Sequence, residues 1–394
     1  MIVPQNKLRI TRIELLKVGV FFLYNISYVL YVRGYIPQSI NLFLIVLFIG
    51  LNMLDFLVKN EWKLRKHTFF KRELWLVLWA CIVIAAISLI IQLRNHNLQS
   101  YMFTGILHIV LPITCAFFWI HSTSKEVRDV YFTIFVIRFL FHFILIGAGG
   151  FNVNNILAIS WFDSKSSVFE SSNAHDLLFL VLYYKYRNKK AMSIICMILC
   201  MLSFKRLSFI LAPLCIIFYD KITDKPVPKS LLLGTKVFFT MSPFIYFTLM
   251  SDALNIYFVS QFGITVNQFM TGRLTLVKTV LNQPKILNGY DSTTDFFMHN
   301  GFLSWNMHCD VMKLYLETTI VSLIVVVNNF FEIVKKDFRL YLMMVYAFIV
   351  LVTSHFLDYI SGWIIIYMIV AVVYFDKIQQ NDNTQKHTNM QMGQ

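Results

Sequence analysis

Long, continuous apolar runs separated by short polar punctuation dominate the chain from about residue 13 to residue 375. Crossing about 30 Å of hydrocarbon takes roughly 20 helical residues. Runs approaching that length lie near 13–32, 41–59, 74–93, 102–121, 130–149, 230–250, 311–330, 340–356 and 361–375. Three shorter ones, 174–186, 191–204 and 207–220, bring the expected set to about twelve spans. The runs do not alternate with period two, which excludes a closed β-barrel. The expected fold is therefore all-α, a single polytopic membrane domain over 1–375. Beyond it, residues 376–394 are polar and rich in Gln and Asn, a composition that predicts a disordered tail. No internal sequence repeat is visible, so nothing here supports an inverted-repeat transporter directly.

One stretch breaks the pattern. From Ser251 to Ser322 the chain carries two histidines (His299, His308), Arg273, several acids and a Pro/Gly turn region. Its polar part, about 251–306, is expected as a large loop between the ninth and tenth spans. A second loop is expected from about Gly150 to Asn173. Trp161, Phe162 and Phe169 in that loop, and Phe296, Phe297, Phe302 and Trp305 in the larger one, suit the headgroup region. Aromatic faces also stack on sugar rings, so both uses stay open.

Composition agrees with a membrane protein: 57% of the 394 residues are hydrophobic, only 14% are charged, and mean hydropathy is +0.63. A soluble domain carries nearer a quarter charged residues. The net charge of +14 is not a nucleic-acid footprint, because the cations sit in short clusters between apolar runs. Lys7, Arg9, Arg12 and Lys17 precede the first run. Lys59, Lys63, Arg65, Lys66, Lys71 and Arg72 follow the second, and later clusters centre on Lys125, Lys189, Lys225 and Lys335. With alternating spans all of these fall on one side, which predicts both termini in the cytoplasm and the 251–306 loop outside. The six cysteines lie mostly within apolar runs and show neither a disulfide framework nor zinc spacing. The N-terminus carries no cleavage signature, so the first run is expected to be retained.

Candidate chemistry gathers on the expected outer side. Arg206, in LSFKRLSFI, interrupts an apolar run. It reads either as a snorkelling helix end or as a phosphate ligand, since a guanidinium fork matches phosphate oxygens. Arg273 opens TGRLTLVKTVLNQPKILNGY, where Leu274, Val277, Val280 and Leu281 recur at helical spacing. That predicts a short amphipathic helix lying on the membrane with Arg273 at its start. His308 heads HCDVMKLYLETTIVS, and an imidazole is well suited to moving a proton near neutral pH. Asp310, Lys313 and Glu317 share one helical face and are expected to pair among themselves, Glu317 with Lys313. His299 is the competing histidine. Arg138 and His142, four apart inside the fifth run, read as partners of an acid elsewhere or as contacts to a lipid phosphate. His355 and Asp358 form a weaker pair near the outer end of a later run.

These segments resemble the O-antigen polymerase and ligase group of surface-polysaccharide enzymes, from about Phe169 to Leu323. HCDVMKLYLETTIVSLI looks like that group's histidine segment, with His308, Asp310 and Glu317 matching. Cys309 replaces the usual Asn and Thr319 the usual Gly. GRLTLVKTVLNQPKILNGY is similar to the upstream element, Arg273 in the arginine position, and LSFKRLSF resembles an element with Arg206 on its arginine. ESSNAHDLL resembles the phrase closing the first large outer loop, without the arginine often found before it. The resemblance implies a GT-C-like, metal-independent glycosyltransferase without a cofactor, in the bacterial plasma membrane. Its substrates would be an undecaprenyl-diphosphate-linked oligosaccharide and the growing polysaccharide chain, and a flippase and a chain-length regulator would be its protein partners. It further implies His308 as the catalytic residue, with Arg206, Arg273, Asp310, Glu317 and His299 binding substrate. A ligase of the same group, or a lipid-linked oligosaccharide flippase, is the alternative.

Overall fold

The computed structural model describes residues 11–59, 69–146, 154, 173–203, 205–270, 272–301 and 307–392. Most of the expected Gly150–Asn173 loop, with Trp161, Phe162 and Phe169, lies outside them, as do Phe302 and Trp305. Among the described residues the regular structure is entirely helical. The first five helices are α1 (Arg12–Val32), α2 (Gln38–Lys59), α3 (Lys71–Arg94), α4 (Tyr101–Ser122) and α5 (Lys125–Ile146). Then come α6 (Asn173–Tyr186), α7 (Lys190–Leu202), α8 (Arg206–Phe218) and α9 (Lys229–Leu249). The polar stretch folds as α10 (Asp252–Phe262), α11 (Val266–Phe269), α12 (Arg273–Asn282) and α13 (Ser292–His299). Last are α14 (Asp310–Thr318), α15 (Ile320–Val334), α16 (Phe338–Thr353) and α17 (Ile360–Met392), the last continuing past the point where the sequence turns polar.

The expectation of about twelve spans is corrected. Seven described helices are long and apolar enough to cross a membrane: α1 to α5, α9 and α17. The runs at 174–186, 191–204, 207–220 and 340–356 instead become α6, α7, α8 and α16, of 14, 13, 13 and 16 residues, and 311–330 divides between α14 and α15, the latter of 15 residues. At 1.5 Å per residue these reach only about 20–24 Å. For α6 and α16 the physical reason is that apolar length does not distinguish lipid from protein as the neighbour. In α6 every residue from Ala174 to Val181 is buried, so its all-round apolar surface faces other helices. The expected GT-C-like architecture is not marked by the helices of the described residues.

α17 is the mast of the bundle: 83% of its apolar window is buried, against 28% for α3. It packs on α4 and α6, while α1 packs on α2 and α5, and α15 on α3 and α9. Trp363, Ile364, Tyr367, Met368 and Val370 of α17 sit within the main core. Outward-facing Leu23, Phe43, Trp75, Trp79, Phe103 and Ile144 remain exposed, an apolar coat suited to lipid. Helix ends carry their own signals. Thr11 and Glu14 form a capping box at α1, and Asp337 accepts from the Arg339 and Leu340 N–H groups at α16. Lys17, expected in the basic cluster before the first run, is buried inside α1 and donates to Asp55 at 2.7 Å and to Ser122. The cysteines are free thiols, all but Cys309 packed in the bundle.

The 251–301 stretch is not an open loop. Its short helices build a second core from Val266, Leu274, Val277, Val280 and Phe297, joined by Tyr246 of α9 and by Met307, Cys309 and Met312. α12 lies where the spacing predicts it and begins at Arg273. Its apolar face, however, is buried in that protein core rather than laid on a membrane, and only Leu281 of the expected four is exposed.

Candidate functional site

The small module and the bundle meet along α14, whose charged face is buried and reaches two separate segments, the start of α13 and the 355–358 turn. Asp310, at the start, accepts from the backbone N–H groups of Phe356 and Leu357 and bonds the His355 ring at 2.9 Å. One turn on, Lys313 donates to Asp291 at 2.6 Å and to Asp358 at 3.1 Å. Glu317 accepts from the Asp291 N–H (2.8 Å), the Thr293 N–H (2.8 Å) and the Thr293 hydroxyl (2.6 Å). Tyr290 closes the circuit by donating its hydroxyl to Asp358. The expected pairing among Asp310, Lys313 and Glu317 is therefore corrected. The helical spacing does put them on one face, but their hydrogen bonds go outward, and together they bolt the module to the bundle.

Close approaches make this docking possible. A Cβ on Gly105 of α4 would come within 2.7 Å of the Tyr290 ring and 3.2 Å of Asp291 Oδ2, so only glycine leaves room for them. Gly289 combines φ +90° with backbone contact against Ser88, a geometry closed to larger residues. Three non-glycine residues at the site also hold positive φ: Asp291 (70°), His308 (49°) and Thr319 (85°). Thr319, with ψ 167°, sits in a region that is essentially glycine-only, and there the expected span breaks into α14 and α15.

His308 lies immediately before α14, between the buried Met307 and Cys309. Burial, then the positive charges of His355 and Arg273 and, less strongly, of Lys205, lower its pKa to about 4, with Asp310 opposing. The ring is neutral over the physiological range and stands among cations. Burial also works to raise Asp310, but His355, Lys313 and the Phe356 N–H outweigh it and keep the carboxylate ionised. The same pairing raises His355 against its own burial. Glu317, outside the seven spans, is pushed up to about 7 by burial, with Asp291 adding and Lys313 and the Thr293 bonds opposing.

The structure thus brings His308, Asp310, Arg273 and Glu317 into one connected region. Arg206 is the first residue of α8, but it is the preceding Lys205 whose charge acts on His308. His299 stands apart on the exposed end of α13, its side chain 72% exposed and its Nδ1 2.8 Å from the Asp295 carbonyl. Sequence reasoning missed Lys205, Tyr290 and Asp291 as site residues. It ranked His355 and Asp358 low, as a pair, whereas one serves Asp310 and the other Lys313. Arg138 is buried in an ion pair with Asp176, with Tyr359 and Ser361 beside it.

Beside the bolted face lies a cavity of about 410 Å³. Its walls include Tyr24, Tyr28, Tyr31 and Tyr359, the amides of Gln38 and Asn41, and His108, His355, Asp291 and Asp358. His355 belongs both to this wall and to the surroundings of His308. No protein-family model, curated protein or solved structure matches the chain.

Proposed function

We propose that this multi-pass helical membrane protein is a glycosyltransferase acting on lipid-diphosphate-linked oligosaccharides, a polymerase of surface polysaccharide. The observation that carries the reading is a neutral, half-buried histidine set beside two helices that open on cations. α8 begins at Arg206 with Lys205 before it, and α12 begins at Arg273. Cations are disfavoured at a helix N-terminus, whose own pole is positive. Two such starts near one histidine make a doubly electropositive place, and diphosphate oxygens suit both the N–H groups and the arginine fork.

The chemistry follows from that placement. An acceptor sugar hydroxyl loses its proton to neutral His308 as its oxygen bonds the anomeric carbon of the donor. The bond from that carbon to the diphosphate oxygen breaks, and the lipid diphosphate leaves with the electron pair, held by Arg273, Lys205 and Arg206. The bound diphosphate also offsets the cations that depress His308, which makes the ring a stronger base only when donor is present. Asp310 orients His355, and Glu317 holds the module; His299 has no part in this step.

The test is polymer formation by purified protein in vesicles supplied with undecaprenyl-diphosphate-linked oligosaccharide. His308→Ala should cut the rate by roughly 10²–10⁴, the usual scale for general acid–base catalysis, with donor binding unchanged. Arg273→Ala should weaken donor binding. Full activity in both variants would end the proposal. A flippase is the second reading, favoured by the buried Arg138–Asp176 pair next to the cavity residues Tyr359 and Ser361. It predicts movement of the lipid-linked oligosaccharide across the vesicle membrane without chain growth.

A further inference from the structure

The cavity between α1, α2, α4 and the 355–361 turn differs in chemistry from the cationic place at His308. Its volume falls within the roughly 300–1,000 Å³ of small-molecule sites. Lysine and arginine are absent from its lining. Two buried cations stand next to the lining: Lys313, 1% exposed and bonded to Asp291 and Asp358, and Arg138, 1% exposed and neutralised by its ion pair with Asp176. What faces the cavity is therefore two carboxylates held by one cation, together with His355, which its Asp310 partner offsets. The balance is acidic, so a phosphate or diphosphate would be repelled there.

The remaining walls suit a neutral polyhydroxylated molecule. Four tyrosines offer flat faces for the C–H side of a sugar ring and hydroxyls at their edges. Gln38, Asn41 and Thr104 add donors and acceptors, and carboxylate oxygens accept strongly from hydroxyl groups. His108 Nε2 is buried on this wall without a hydrogen-bond partner among the described residues, a polar atom left for something that enters.

We infer that this cavity is a binding site for an uncharged saccharide, physically separate from the place that takes the anion. The inference rests on the proposed glycosyl transfer for its biological setting: diphosphate is sorted to the cationic helix starts and glycan to the tyrosine cavity. His355, shared by both regions, lies where the two ligands would meet.

Thr104, exposed on the wall, provides the test. In full-length Thr104→Cys protein, alkylation by a small neutral thiol reagent is followed with maltose, lactose, chitobiose or inorganic pyrophosphate present. The unsubstituted protein supplies the background from the native cysteines. At least one disaccharide should slow alkylation saturably, by about tenfold at ten times its Kd, while pyrophosphate leaves the rate unchanged. Adding Tyr28→Ala or His108→Ala should weaken that protection, whereas adding His308→Ala should leave it intact. Protection by pyrophosphate, or by none of the disaccharides, overturns the inference. Saccharide protection in a protein that forms no polymer would instead keep the cavity and remove the enzymatic reading. Polymer formation without protection would do the reverse.

Discussion

Thr319→Gly should stabilise the protein, an unusual outcome for a substitution beside a buried charge cluster. Thr319 joins α14 to α15 at φ 85° and ψ 167°, where a β-branched residue costs on the order of 1–3 kcal/mol. Two losses oppose the relief. The Thr319 hydroxyl accepts from the Val321 N–H at 3.4 Å, a long bond worth about 0.5 kcal/mol at most. Glycine also gives the unfolded chain more freedom, which costs roughly 0.5–1 kcal/mol. The balance is a gain of about 1 kcal/mol, or a rise in midpoint of about 2 °C. Thr319→Val keeps the strained backbone and loses the hydroxyl bond, so the order of stability should run Gly, Thr, Val. Thermal unfolding in detergent micelles, followed by near-ultraviolet circular dichroism, measures all three. If Gly unfolds below Thr by more than the error, the backbone at this junction is not the one described.

Lys313→Met leaves the half-buried Asp291 and Asp358 without their shared ammonium and should cost about 3 kcal/mol in the same assay, the low end of what breaking a buried pair costs. Adding Asp358→Asn should return part of that loss. His308 sets a pH dependence whose sign is fixed by its lowered pKa of about 4. Between the unfolded value of about 6.5 and 4, the unfolded chain binds a proton that the folded one refuses. Stability therefore falls as pH drops through that window, by up to about 3 kcal/mol at its lower end. The difference between the wild-type and His308→Gln stability curves should show that loss and be flat above pH 7.

Much of the bundle was legible because lipid-length apolar runs have few other uses: α1 to α5, α9 and α17 each coincide with one. The overcount came in part from α6 and α16, where apolar surface meets protein instead, a distinction that composition does not carry; α7, α8 and α15 keep exposed apolar side chains such as Ile194, Ile217 and Ile324 and fall short on length alone. At the site, the α14 segment and α12 were readable from local spacing. Their partners were not, because Asp291 and Asp358 stand 22 and 45 residues from Lys313 and nothing local links them. The choice between Lys205 and Arg206 depends on where α8 starts, a matter of one residue that hydrophobic pattern leaves open. Thr319 is the instructive case. Its φ could not be read from the sequence, because threonine gives no local signal for a glycine-type backbone.

The burial of α17 has a consequence for how the protein is made. Every other described helix precedes it in the chain, yet it occupies the middle of the bundle. Helices emerging earlier from the ribosome must therefore enter the membrane around a slot that nothing yet fills. α4 and α6 would meanwhile show lipid the surfaces they later turn to α17. Until residues near 360–375 arrive, the early helices can associate only loosely, and folding stays coupled to the end of this stretch of synthesis. A chain stopped before Ile360 would then be missing its centre rather than its edge, and membrane quality control would meet it as a ring of mismatched helices.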